Sequence, residues 1–116
     1  MARVVHLSGP GLVANNHGVG STLSVLGQRR GKLFSVLATN ALDATLYLQA
    51  FDSAGGVAAG TIPVASVPVP PGEAGSLDWS GGRPFALGIF VAFSAQLLTY
   101  ATVAGDTLID SCYETD

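Results

Sequence analysis

Charge is scarce in this chain: of 116 residues only 11% are Asp, Glu, Lys or Arg, against 48% apolar. Soluble surfaces usually carry about 25–35% charged residues, so a domain this poor in charge is expected to cover much of its exterior with a partner protein or a membrane. Cysteine is nearly absent too. The single thiol, Cys112, excludes an intramolecular disulfide, and with His6 and His17 as the only histidines the supply of metal ligands is thin. Folding is therefore expected to rest on packing alone, with no metal and no cofactor. No stretch shows a sustained 3.6-residue apolar period, which argues against the helical classes. A secretory leader is not expected either, because the apolar start Val4 to Leu7 is interrupted at once by Ser8, Gly9, Pro10 and Gly11.

What is abundant is turn chemistry, with 15 glycines and 6 prolines setting off short apolar runs. Residues 1–31 are rich in Gly, Ser and Asn and read as an extended N-terminal arm with short extended pieces. From Lys32 a period of two begins: Phe34, Val36 and Ala38 alternate with Ser35, Leu37 and Thr39. Asn40 to Asp43 reads as a turn, and a second strand alternates Thr45, Tyr47, Gln49 and Phe51 with Leu46, Leu48 and Ala50. Thr61 to Val69 contains Pro63 and Pro68, which cannot donate ladder hydrogen bonds, so it is expected at a sheet edge. Pro70 to Gly72 predicts a turn, Ser76 to Trp79 a short strand, and Ser80 to Gly82 another turn. Phe85, Leu87, Ile89, Val91 and Phe93 then occupy every odd position of the clearest strand, and a last strand is expected from about Thr107 to Tyr113. Short strands punctuated by Gly and Pro predict an all-β, antiparallel β-sandwich or jelly-roll-like fold over residues 32–116. A chain of this length can bury roughly two thirds of its unfolded surface, enough for one core.

The charges are segregated along the chain. Arg3, Arg29, Arg30 and Lys32 all precede the first acid, so residues 1–42 carry +4; the eight acids after that face only Arg83, leaving −7 for residues 43–116. A basic leading segment on an acidic body suits docking between subunits, where complementary patches set register and encounter rate; the alternative is a scatter of solvated surface charges. Arg3, Arg29, Arg30 and Lys32 are thus the candidate partner-binding residues.

A membrane alternative comes from Pro84 to Gly105, a run of 22 residues without a charge, long enough to span a bilayer as a helix. The alternation from Phe85 to Ser94, Gly88, and the polar Ser94, Gln96, Thr99 and Thr102 favour a strand instead. Positive charge flanking the run is limited to Arg83.

Catalytic arrangements are not apparent. His17-Gly18-Val19-Gly20-Ser21 lacks the lysine and the spacing of a phosphate-binding loop, and no G-x-S-x-G elbow is present. Both histidines fall in the leading segment, a poor place to hold a base within hydrogen-bond reach of a nucleophile. Cys112 has no cationic sequence neighbour to make it a thiolate. Asp106, Asp110 and Glu114 would share a helical face as hard-cation ligands, but the segment reads as a strand. Arg29, Arg30 and Lys32 have no interleaved aromatics, so nucleic acid is not the expected partner. Trp79, Tyr47 and Tyr100 can stack on sugars, which keeps a carbohydrate- or receptor-binding sandwich as the alternative, although core or interface positions suit their area equally.

One resemblance joins these pieces. The ordered features are Ala38-Thr39-Asn40 closing a strand, Ala44 to Leu48 leading to Phe51-Asp52, and the segment Val67 to Gly72. A glycine turn before Phe85 to Ile89, the small-residue strand Val91 to Ser94, and Ala104-Gly105-Asp106 before a strand ending at Tyr113 complete them. In this order, Leu33 to Tyr113 resembles the small virion proteins of tailed bacteriophages, of the capsid decoration, cement or head-fibre type. The resemblance implies a non-enzymatic homo-oligomer, dimer or trimer, made in the host cytoplasm, displayed on the capsid surface and clamped against the major capsid protein or other virion subunits. Residues 1–31 depart from it.

Overall fold

Period-two alternation, β-branched residues and frequent turn formers resolve into eight strands. They are β1 (Asn15–Val19), β2 (Ser24–Gly27), β3 (Gly31–Asn40), β4 (Leu46–Asp52), β5 (Ala65–Val69), β6 (Ala74–Phe85), β7 (Ile89–Ser94) and β8 (Asp106–Thr115). In this computed structural model the backbone is described for residues 15–19, 24–27, 30–101, 103 and 106–115, and side chains for residues 30–101 and 103. The strands form two four-stranded sheets, ordered β1-β8-β3-β6 and β2-β7-β4-β5, and every pairing is antiparallel. The chain is all-β, as expected, with no helix among the described residues. The leading segment supplies β1 and β2, one edge strand to each sheet.

A single apolar cluster is shared between the sheets. Leu33, Val36, Ala38 and Phe85 enter it from β3 and β6, and Leu46, Leu48, Ala50, Val69, Ile89, Val91 and Phe93 from β4, β5 and β7. Each fully buried large side chain contributes about 1.5–3 kcal/mol relative to exposure. β4 and β7 are covered on their other faces as well, where Phe51, Phe90, Ala92 and Tyr100 form a second cluster.

The face of β3 differs from simple alternation. Its core residues are Leu33, Val36 and Ala38, an odd step followed by an even one, because the register with β8 passes from Leu33↔Tyr113 to Ser35↔Cys112 and leaves Phe34 as a bulge. On the opposite side the register passes from Leu33↔Arg83 to Ser35↔Asp78, so residues 79–82 face that same bulge. Ser80 to Gly82, read from sequence as a turn, therefore does not reverse the chain; it is an irregularity inside one long β6. Gly82 has φ 80°, and a Cβ there would lie 2.8 Å from Phe34 Cε1. The Phe34 ring takes the space that any other residue at 82 would need.

The expected strand from Phe85 to Phe93 is likewise two. Phe85 ends β6 in one sheet and Ile89 opens β7 in the other, with Leu87 55% exposed between them. Both ends still point apolar residues into the shared core, which is why the alternation reads as continuous. Asp52 holds the crossing: its carboxylate accepts the backbone N–H groups of Ala86 (3.0 Å), Leu87 (2.8 Å) and Gly88 (3.3 Å). β5 sits at the edge of its sheet, where Pro68 is tolerated, and the Pro70–Glu73 turn after it closes with Glu73 N–H donating to Pro70 O at 3.2 Å.

Candidate subunit-contact surface

Two stretches of the chain, residues 53–72 and 84–105, contain no charged residue, and the fold brings residues 60–66 of the first beside residues 97–100 of the second. Gly60 N–H donates to Tyr100 O and Tyr100 N–H to Thr61 O, both at 2.8 Å, while Val64 N–H donates to Ala50 O at 2.9 Å. The segment before β5 is thereby laid beside the loop that follows β7.

That loop, residues 95–99, is built around two buried polar side chains. Ser94 Oγ donates to Thr99 O (2.9 Å) and accepts from Gln96 N–H (3.1 Å) and Ala101 N–H (2.9 Å). Gln49, on β4, reaches into the loop with its Nε2, which lies 2.8 Å from Gln96 O, 3.2 Å from Leu97 O and 3.3 Å from Thr99 O, with Ser66 Oγ at 3.2 Å. Its Oε1 is buried without a hydrogen-bond partner. Buried polar groups of this kind cost stability unless satisfied, and the carbonyls of Gln96, Leu97 and Thr99 gather around the Gln49 Nε2 donor.

The loop turns its apolar residues outward as a result. Leu98 is 74% exposed and Leu97 45%, and beside them Ile62 is 77% and Val64 38% exposed. A shallow groove of about 310 Å³ runs between Ile62–Ser66 and Leu97–Leu98. Most large apolar side chains of the described residues are buried; this concentration at one sheet edge is the kind of surface that marks an interaction site.

Of the residues singled out from sequence, Arg3, Arg29 and His6 lie outside the described residues. Arg30 is exposed just before β3, and Lys32 is half-buried within it, in register with Pro84 on one side and Glu114 on the other. His17 lies in β1 opposite Leu108 and Cys112 in β8 opposite Ser35; the side chains of both are outside the described set. Asp106, Asp110 and Glu114 belong to β8, so they do not share a helical face. Among the described residues no group of three His, Cys, Asp or Glu is placed to hold a metal, and no helix is long and apolar enough to cross a membrane.

The aromatics have structural placements. Tyr100 is 5% exposed and meets Phe51 edge-on, with ring centroids 5.6 Å apart, and burial pushes its phenol pKa up. Trp79 packs against the shared core, half-buried. Ile62, Leu97 and Leu98 were not anticipated. Their signal was present as the long absence of charge, but only the fold shows that the two uncharged stretches are neighbours.

Comparison of the chain with protein-family models, with curated proteins and with solved structures finds no match.

Proposed function

We propose that this protein is a structural component of a tailed-phage virion, a β-sandwich with a basic leading arm that decorates or reinforces the capsid by burying surface against neighbouring subunits. The observation that carries the reading is the uncharged apolar edge of Ile62, Val64, Leu97 and Leu98, held in place by internal hydrogen bonds on a chain otherwise short of charge. Rigid apolar residues at a surface lose little entropy on docking and supply the anchors on which stable interfaces depend. The sequence resemblance from Leu33 to Tyr113 supplies the setting. The glycan-binding alternative is weakened by Tyr100 and Trp79, which spend their ring area on packing.

The basic cluster has its own role in this reading, docking on an acidic capsid surface. β1 and β2 come from residues 15–27, so deleting residues 1–30 would remove two edge strands along with three of the four charges. Reversing Arg3, Arg29, Arg30 and Lys32 to Glu is the cleaner experiment. Binding to purified capsids, followed by co-sedimentation, is expected to be lost in the reversed variant and to weaken with salt in the wild type. Mass spectrometry of purified virions tests the assignment itself: absence of the protein from the particle would overturn it.

A further inference from the structure

We propose that residues 54–59 form a strap that lifts away from the β2-β7-β4-β5 sheet while the rest of the fold stays closed, baring the aromatic cluster of Phe51, Phe90 and Tyr100. The inference goes beyond the virion reading and does not rest on it, because the motion is expected of the isolated protein.

The strap is tied at its ends and not between them. Ser53 N–H donates to Gly88 O at 3.2 Å before it, and Gly60 N–H donates to Tyr100 O at 2.8 Å after it, with Tyr100 N–H returning to Thr61 O at 2.8 Å. Between these anchors, every hydrogen bond that residues 54–59 make among the described residues is local. Gly55 N–H donates to Ser53 Oγ, Ser53 Oγ to Gly56 O, and Thr61 N–H to Ala58 O. No ladder bond has to break for the strap to lift, and segments with few such bonds and few apolar contacts open at a small fraction of the global cost.

One side chain holds it down. The segment reads Ala-Gly-Gly-Val-Ala-Ala, and its alanines and glycines are exposed, so Val57 is the strap's single apolar contact with the cluster below. Gly56 at φ 120° and Gly60 at φ 90° stand on either side of that valine, in backbone regions that glycine visits at little cost. Two such pivots let Val57 swing out while the anchoring bonds stay in place. Beneath it Phe51, Phe90 and Tyr100 are buried, with the Phe51 and Tyr100 rings edge-on. The strap belongs to one uncharged stretch, 53–72, and Phe90 and Tyr100 to the other, 84–105. What the lifted strap presents is therefore an uncharged aromatic face.

Limited elastase digestion of the full chain, with cut sites read by mass spectrometry, tests this. Elastase accepts small residues in its specificity pocket, and Val57, Ala58 and Ala59 supply them. Cutting within 54–59 is expected while the chain remains folded. Its rate should stay level in urea below the unfolding midpoint, because opening the strap exposes little surface. Val57→Ser is expected to raise that rate roughly tenfold with little change in melting temperature. Gly56→Ala, which puts a Cβ at a φ of 120°, is expected to raise it as well; Gly55→Ala adds the same methyl without that φ and with nothing within 4 Å, and is expected to leave the rate unchanged. The proposal is overturned if no cut falls within 54–59 before the chain unfolds, or if the rate climbs with urea in step with global unfolding. It is equally overturned if Val57→Ser accelerates cutting in β4 as much as in the strap.

Discussion

The side-chain amide of Asn40 donates to the carbonyl of Val69 at 2.9 Å across 29 positions of sequence, tying the end of β3 in one sheet to the end of β5 in the other. The same amide donates to Ala44 O at 2.8 Å, and its Oδ1 accepts Leu42 N–H at 2.9 Å. Its backbone is used as well, with the N–H donating to Glu73 O and the carbonyl accepting Gly72 N–H, both at 2.9 Å. One buried residue thus completes two loops.

Asn40→Ala strands the Val69 carbonyl and the Leu42 N–H near the core, where an unpaired group costs about 1–3 kcal/mol. Urea unfolding is expected to show a loss of about 2–4 kcal/mol with an unchanged m-value, since the Val69 carbonyl and the Leu42 N–H lose their partner away from solvent while the third group, the carbonyl of exposed Ala44, can turn to water. A loss under about half a kcal/mol would mean that water replaces the amide at the Val69 carbonyl.

Asp52 gives the fold a pH dependence. Burial alone would raise its carboxyl pKa, but the Ala86, Leu87 and Gly88 N–H groups and nearby Arg83 outweigh it and hold the pKa below the usual 3.8. A depressed folded value means the ionised carboxylate stabilises the fold above the unfolded pKa, and that contribution drains as pH falls from about 4 through the folded value. Asp52→Asn is expected to be less stable than the wild type at pH 7 by about 1 kcal/mol, a modest figure because these bonds face solvent. The gap should narrow as thermal melts are taken from neutral pH down through the lowered pKa of the folded state; a gap independent of pH counts against the carboxylate.

Two glycines are expected to resist substitution for steric reasons. Gly82→Ala places a methyl against the Phe34 ring at a φ of 80°, and Gly75→Ala places one against Val69 Cγ2, a fully buried side chain. Each is expected to lower stability by about 1–3 kcal/mol. Gly81→Ala, where a Cβ meets nothing within 4 Å, serves as the control and is expected to change the melting temperature little.

Gln49 is expected to govern the order of the exposed leucine loop. Gln49→Leu removes the donor shared by three carbonyls and also removes a buried, unpartnered oxygen, so the loss in global stability is held to about 1 kcal/mol. Amide hydrogen exchange in residues 95–101 should accelerate far more than in β3. Equal acceleration everywhere would place Gln49 in the general core instead.

Much of the strand content was legible in the sequence, and the errors share a cause. The presence of β3, β4 and β7 and the edge position of β5 follow from side-chain period and proline chemistry, although the bulge at Phe34 breaks the period within β3. What sequence period cannot register is where the chain changes sheet. Phe85 to Phe93 looks like one strand because both sheets turn apolar side chains toward the same core, and Ser80 to Gly82 looks like a turn because glycine serves bulges and reversals alike. The contact surface was the least legible part. Leu97 and Leu98 resemble core residues by composition, and their exposure depends on a glutamine 47 or more positions earlier in the sequence.

The place of β8 bears on how this fold comes into being. It lies between β1 and β3, so a nascent chain that has emerged only as far as residue 105 has β1 with no neighbour in its sheet and β3 with one edge open. The other sheet, β2-β7-β4-β5, already has all its strands by then. Its side chains for the shared core would face an incomplete partner until the last ten strand residues arrive, and such late, long-range closure is the slow kind. The sheet that holds β1 and β3 is thus joined only by the strand that comes last of the eight, a pairing across most of the described sequence.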